Sequence, residues 1–168
     1  ILLRGIKEIL SHYDYILIDC PPNLGYITLN GLRIADGYMI PTIPDVMSTY
    51  GIPQIVTRIS KFSDEISTEK VSGIMPIGIV ATKVRLQAPI HRRTLNQLRN
   101  HSGKVMDGSN LVYPTTFDTE FLESASMAEA AEYLDDQKTT LRQKWGYGGQ
   151  YNTFDAFAKE FMAVCEAI

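Results

Sequence analysis

Residues 13–24 read YDYILIDCPPNL, and the expected fold turns on this run. Residues 15–18 are apolar without polar alternation, the pattern of a strand buried on both faces. The run closes on Asp19, and Pro21 and Pro22 follow, fixing the backbone and removing two N–H donors. Buried parallel strands belong to sheets whose ligands bind beyond the strands' carboxyl ends, so Asp19 is placed where an acid faces a crevice rather than the core. A carboxylate there suits Mg²⁺, directly or through a water, because Mg²⁺ prefers oxygen ligands and keeps much of its hydration. The competing reading is that Asp19 caps the next helix or opens an Asx-turn.

Outward from this run, strands alternate with helices. Leu2, Leu3, Ile6, Ile9 and Leu10 sit at helical spacing, which predicts a helix reaching Ser11. A helix is predicted over residues 26–35, broken by Asp36-Gly37, and then a strand over 38–42. Ser48 is the expected cap of a long helix to Phe62, with Pro53 in its first turn or kinking it. Residues 63–72 read as a loop or frayed helix end. PIGIVAT, 76–82, is a strand, 90–101 a helix, and LVYPT, 111–115, a fourth short strand. Helices are expected over 120–134 and 137–145. GYGGQYNT then reads as a loop, and Thr153 as the cap of a closing helix whose Phe154, Phe157, Ala158, Phe161, Val164 and Cys165 form a core-facing stripe. The implied fold class is α/β, three-layered, with a mostly parallel sheet and helices on both faces, and residues 1–168 form a single domain.

Composition narrows the function classes. The 168 residues are 45% hydrophobic and 21% charged, enough to bury a core. A formal charge of −3 gives no global attraction to nucleic acid or an anionic membrane, so such binding needs a local basic patch. One exists: Lys83, Arg85, His91, Arg92, Arg93, Arg99, His101 and Lys104 fall within 22 positions that hold no acid. Arg92 and Arg99, seven apart, align on one helical face. Cys20 and Cys165 lie far apart with no Cys/His cluster, arguing against disulfide or zinc frameworks and for a reducing, cytoplasmic setting. No apolar run approaches the roughly 18 residues that span a bilayer, so no membrane partner is expected. The chain opens on Ile1 in what reads as mid-helix, and a fragment of a longer protein is expected.

The segment DCPPNLGYITLNGLRIADGYMIPT, 19–42, closely resembles the part of ParA-type partition ATPases that holds their Walker B-like strand end and switch II. These belong, with MinD and the nitrogenase iron protein, to the deviant Walker A group of P-loop NTPases. PDVMSTYGIPQI, GIVATKVR and YPTTFDTEFLESASMAEAAEYL extend the resemblance over most of the first 134 residues. It implies that Asp19 organises Mg²⁺ and its waters beside the phosphates of ATP, and that Pro21, Pro22 and Gly25 form the nucleotide-dependent switch. Thr82 and Lys83 fall where the family's strand meets the adenine, and Pro114, Thr115 and Thr116 on the loop that closes over the base. An Arg-Asn pair common near that loop is replaced here by two threonines. The family's DNA contacts would fall on Arg85, Arg92, Arg93, Arg99 and Lys104. A homodimer in the ATP state, nonspecific DNA binding and a ParB-like stimulating partner are the implied assemblies, in the cytoplasm or on the nucleoid.

Neither GxxxxGK[ST] nor the family's GGxGK[ST] occurs in the 168 residues, so the backbone cradle for the phosphates is missing from this sequence. Asp19 cannot replace it, since a carboxylate repels phosphate. The expectation is therefore the C-terminal portion of an ATPase domain, inactive alone. Two other readings stand beside it. A bacterial tyrosine kinase domain also carries a strand ending in Asp and Pro-Pro, and Tyr133, Tyr147 and Tyr151 could serve as its tyrosine cluster. A noncatalytic adaptor or dimerisation domain would need no phosphate loop at all.

Overall fold

The computed structural model describes residues 2–66, 73–124 and 149–167. Its strands form a three-stranded sheet in the order β1 (Gly37–Thr42), β2 (Met75–Val84), β3 (Thr116–Leu122). β2 and β3 run parallel, with Ile79 opposite Thr116, Ala81 opposite Glu120 and Val84 opposite Leu122. The helices are α1 (Leu2–Ile6), α2 (Tyr26–Ile34), α3 (Val46–Tyr50), α4 (Ile52–Ile66), α5 (Pro89–His101) and α6 (Gly149–Glu166). This is the expected α/β class with a parallel sheet. The chain divides into two compact units, Ile1–Tyr38 with Thr57–Pro76, and Met39–Val56 with Ile77–Ile168.

In the first unit α1 packs on α2. α2 starts after Gly25 and stops at Ala35, whose N–H bonds back to the Gly31 and Leu32 carbonyls and so satisfies carbonyls the helix end would otherwise orphan. Gly31 faces the DCPP run closely: a Cβ there would lie 3.3 Å from the Ile18 side chain and 3.4 Å from Cys20 Sγ. The run itself departs from expectation. Residues 15–18 form no strand among the described residues, and Leu17 is 78% exposed. Apolar, β-prone residues favour an extended backbone, but a strand also needs a neighbour to accept its ladder, and none of the described strands pairs with this run.

The second unit is built around β2 and β3. Ile79, Val80 and Ala81 are buried in succession, as a strand covered on both faces requires. On one side Val80, Phe117 and Phe121 form a core against which Phe154, Phe157, Phe161 and Val164 of α6 pack. Phe157 meets Phe117 and Phe121 edge-on, with centroids 5.2 Å from each, a geometry that adds about 0.5–1.5 kcal/mol per pair beyond area burial. Phe154, Phe157, Phe161 and Val164 of the closing stripe thus pack on the core, as their spacing predicted, while Ala158 is exposed. Ala81, Val84 and Leu95 of α5 make a second cluster. Glu160 of α6 accepts the N–H groups of Asp118 and Thr119 at 2.6 and 3.1 Å, fixing that helix to β3.

Several expected boundaries move. The long helix is split at Gly51 into α3 and α4, and the cap is Asp45, whose carboxylate accepts from Ser48 N–H at 2.7 Å; Ser48 itself is inside α3. Pro53 sits in the first turn of α4, where its missing N–H is harmless. The helix of the first residues ends at Ile6, followed by a 3₁₀ turn over Leu10–His12. LVYPT is not a strand: Val112 makes only an isolated bridge with Val105, and the strand begins at Thr116. Residues 120–122, expected to start a helix, finish β3. α6 begins at Gly149, so Thr153 is not a cap but lies within it, donating to the Gly149 carbonyl at 3.0 Å. Residues 63–66, expected as a loop or frayed helix end, complete α4; residues 67–72, the part beyond residue 124 of the helix expected over 120–134, the helix expected over 137–145, Tyr133 and Tyr147 lie outside the described residues.

Candidate functional site

Asp19, Pro21, Pro22 and Gly25 belong to the first unit. Asp19 is exposed, and its carboxylate makes no hydrogen bond among the described residues. It neither caps α2, whose N-cap is Gly25, nor makes the Asx-turn, which Asn23 supplies by accepting the Gly25 N–H at 3.1 Å. The structural role that competes for this acid is thus filled by other residues. The Pro-Pro corner is held from the helix side: buried Thr28 donates its hydroxyl to the Asn23 carbonyl at 2.6 Å and lies 3.5 Å from that of Pro21, while Asn23 N–H bonds to the Pro21 carbonyl at 2.7 Å. Gly25 has φ −83°, open to any residue, so its expected use as a hinge does not rest on a special backbone angle. A Cβ at that position would sit 2.9 Å from Asn23 Oδ1, so its bareness preserves the turn. Asn23 and Thr28 were missed from sequence; Asn two residues before Gly at a helix start was the available signal.

Asp19 fits Mg²⁺ as a single oxygen ligand left free of other bonds. No cluster of three or more potential ligands occurs among the described residues.

Thr82, Lys83, Pro114, Thr115 and Thr116 belong to the second unit. Thr82 donates to the Thr42 carbonyl at 3.3 Å, tying the end of β2 to β1. Lys83 has φ +50°, a left-handed conformation uncommon for a residue with a side chain. It falls in the irregular stretch of the β2–β3 pairing between Ala81 and Val84. Pro114 is buried and Thr115 exposed, its carbonyl accepting from Ile79 N–H at 2.8 Å. Thr116 is buried, its N–H and hydroxyl both bonded to Ser102 Oγ, at 2.9 and 3.1 Å. Thr115 and Thr116 thus lead into β3, and the Thr116 side chain is occupied within the fold.

The basic residues divide into two kinds. Arg92, Arg93 and Lys104 are exposed and make no ion pair among the described residues. Arg92 and Arg93 line an open cleft of about 390 Å³ with Gln87, Pro89 and Asn96, at the start of α5, which has no acid in its first turn. Arg85 and Arg99 instead reach acids of β3 and its end. Arg85 holds Glu123 through Nε and Nη2, at 2.5 and 2.9 Å, and Arg99 holds Glu120 through Nη2 at 2.7 Å. The Glu123 carboxyl is held below its ordinary range by the Arg85 hydrogen bond, which outweighs desolvation, with Lys83 and His91 adding to the pull. Glu120 and Glu123 were missed because their partners lie 21 and 38 positions away in the chain.

The "AAA domain" family model matches residues 1–71. The chromosome partitioning protein ParA of Myxococcus xanthus is 29% identical over 103 residues, covering 61% of this chain and 35% of its own length. The sporulation initiation inhibitor protein Soj of Bacillus subtilis is 25% identical over 100 residues, covering 60% and 38%. The chain is related to the ParA-type ATPases. It spans less than half the length of the curated ParA-type and uncharacterised relatives it matches. In fold, it matches the cobyrinic acid a,c-diamide synthase of Mycobacterium smegmatis, solved with a bound ATP analogue and magnesium. The TM-score is 0.50 at 21% identity, over 88% of this chain and 55% of that one. That likeness is one of α/β fold, and the DCPP run lies inside the residues that the family model covers. No helix of the described residues is long and apolar enough to cross a membrane.

Proposed function

We infer that the intact protein is a partition-type ATPase that binds ATP with Mg²⁺, dimerises in that state and holds nonspecific DNA, and that this chain carries the switch and DNA-contact portions. The observation that carries the reading is Asp19: an exposed carboxylate with no hydrogen bond among the described residues, at the end of an apolar run, followed by a Pro-Pro corner that Thr28 braces to α2. Bound Mg²⁺-ATP would supply the phosphoryl group and the charge that orders water. Asp19 would hold Mg²⁺ or its waters, and Pro21–Gly25 would sense the phosphate through the carbonyls that Thr28 and Asn23 grip. Thr82 and Lys83, with backbone groups around Pro114 and Thr115, would border the base. The Arg92–Arg93 cleft at the positive end of α5 supports contact with phosphate oxygens. A ParB-like protein would reset the switch, and the setting would be the cytoplasm, on the nucleoid when DNA is held.

The test is Mg²⁺-dependent ATP turnover by the full-length protein carrying Asp19→Ala. Turnover should fall roughly 10- to 100-fold, the range for removing a group that orients a metal's surroundings, with the circular dichroism spectrum unchanged. Undiminished turnover would remove Asp19 from the site.

A further inference from the structure

Five cations were expected to face DNA, and two of them are already matched by carboxylates of this chain. The two matches differ in kind. Arg85 and Glu123 form a bidentate fork, with side chains 62% and 45% exposed. Arg99 and Glu120 are 36% and 24% exposed, and Arg99 Nη2 also lies 3.3 Å from the Asp118 carbonyl it donates to. The Arg99 guanidinium is thus bound into the α5–β3 junction, and an incoming phosphate would have to take it from a backbone carbonyl. Arg85 has only its fork to exchange, and that fork has the planar two-bond geometry that guanidinium offers equally to a carboxylate or a phosphate.

The position of the fork matters as much. Arg85 directly follows β2, its N–H donating to His91 Nδ1 at 3.1 Å, and the next residues, Leu86 and Gln87, line the cleft of Arg92 and Arg93. Exposed ion pairs are weak enough to be exchanged, and DNA binding is driven by the release of the counterions that phosphates hold. We propose that Glu123 is an internal counterion that stands where a DNA phosphate would sit on Arg85, so that Arg85 joins the Arg92–Arg93 surface only by exchanging one anion for the other, while Arg99 stays structural. The proposal rests on the DNA-contact reading above. The displaced Glu123 carboxylate recaptures a cation from solution and lies close to the phosphate, so Glu123 restrains affinity and cancels the counterion that Arg85 would release.

The experiment is a double-mutant cycle. Binding of the full-length protein in its ATP state to a labelled duplex of arbitrary sequence is measured by fluorescence anisotropy across roughly 50–200 mM KCl. Glu123→Gln should bind roughly two- to fivefold tighter at the lowest salt, the range of an exposed ion pair, and its plot of log K against log salt should steepen by about 0.9. Adding Arg85→Ala should abolish that gain, which separates exchange at Arg85 from a general loss of negative charge. Glu120→Gln should leave the slope unchanged. A gain that survives Arg85→Ala, or a Glu123→Gln slope equal to the parent's while Arg92→Ala/Arg93→Ala lowers it, would overturn the exchange and leave DNA contact standing. If the parent binds no duplex in any nucleotide state, the DNA reading fails and the exchange falls with it.

Discussion

Replacing Gly78 with Ala tests the β2–β3 spacing on which the second unit is built. A Cβ at this position would lie 2.6 Å from Phe117 Cε2, 3.1 Å from Cδ2 and 2.9 Å from the Thr115 carbonyl oxygen. Carbon atoms pack at about 3.5–4.0 Å, so the ring must retreat by about 1 Å. It has little room: Phe117 is 2% exposed, and its retreat presses on Phe157, packed edge-on against it. The carbonyl is held as well, by Ile79 N–H at 2.8 Å. Overpacking with one movable and one fixed obstacle belongs in the upper part of the usual range, about 2–3 kcal/mol. The backbone entropy gained when Ala replaces Gly offsets about 0.5–1 kcal/mol of this. A net loss of about 1–2.5 kcal/mol follows, equivalent to a Tm lower by roughly 2–10 °C for a chain of this size. Urea unfolding followed by circular dichroism measures it, with Gly51→Ala as control: that site has nothing within 4 Å and φ −77°, ψ −14°, so Ala should add about 0.4–1 kcal/mol. Shortening the ring in Phe117→Leu should make Gly78→Ala less harmful than it is alone. A Gly78→Ala midpoint equal to the parent's, or no relief from Phe117→Leu, would refute the close approach.

Three further outcomes are expected. Asp45→Ala should lose about 0.5–2 kcal/mol, the usual range for an N-cap, and Asp45→Asn much less. Because Ser48 N–H lowers the Asp45 carboxyl below its ordinary 3.8, the charged cap's contribution is present above that value and lost as pH falls through the lowered one, so the parent's small advantage over Asp45→Asn should hold above about pH 4 and fade in acid unfolding curves below it. Arg92→Ala/Arg93→Ala should flatten the salt dependence of DNA binding by up to about 1.8, or about 0.9 for each phosphate no longer neutralised, with the urea midpoint unchanged; Arg99→Ala should do the reverse, shifting the midpoint and sparing the slope.

What the sequence disclosed depended on how local the determining interaction is. β2 and α5 were legible because their signals lie within the element: three successive buried apolar residues in one, Pro at the first turn and a spaced Thr94-Leu95-Leu98 face in the other. The phenylalanine stripe of α6 was legible for the same reason. TFDTEFL was misread as leading into a helix although Phe117 and Phe121 face inward with Asp118 outward, a period of two that was present in the letters. Residues 15–18 show the opposite limit, since preference for an extended backbone is written in the run and a pairing partner is not. Charge is the least local property of all. Counting 22 positions without an acid gave a local basic patch, yet folding brings Glu120 of β3 and Glu123 just past it onto two of its arginines. A basic patch in sequence is therefore an upper bound on the cations available to DNA. The number that remains is decided by which internal carboxylates are exposed enough to give way, and here the two ion pairs lie on opposite sides of that division.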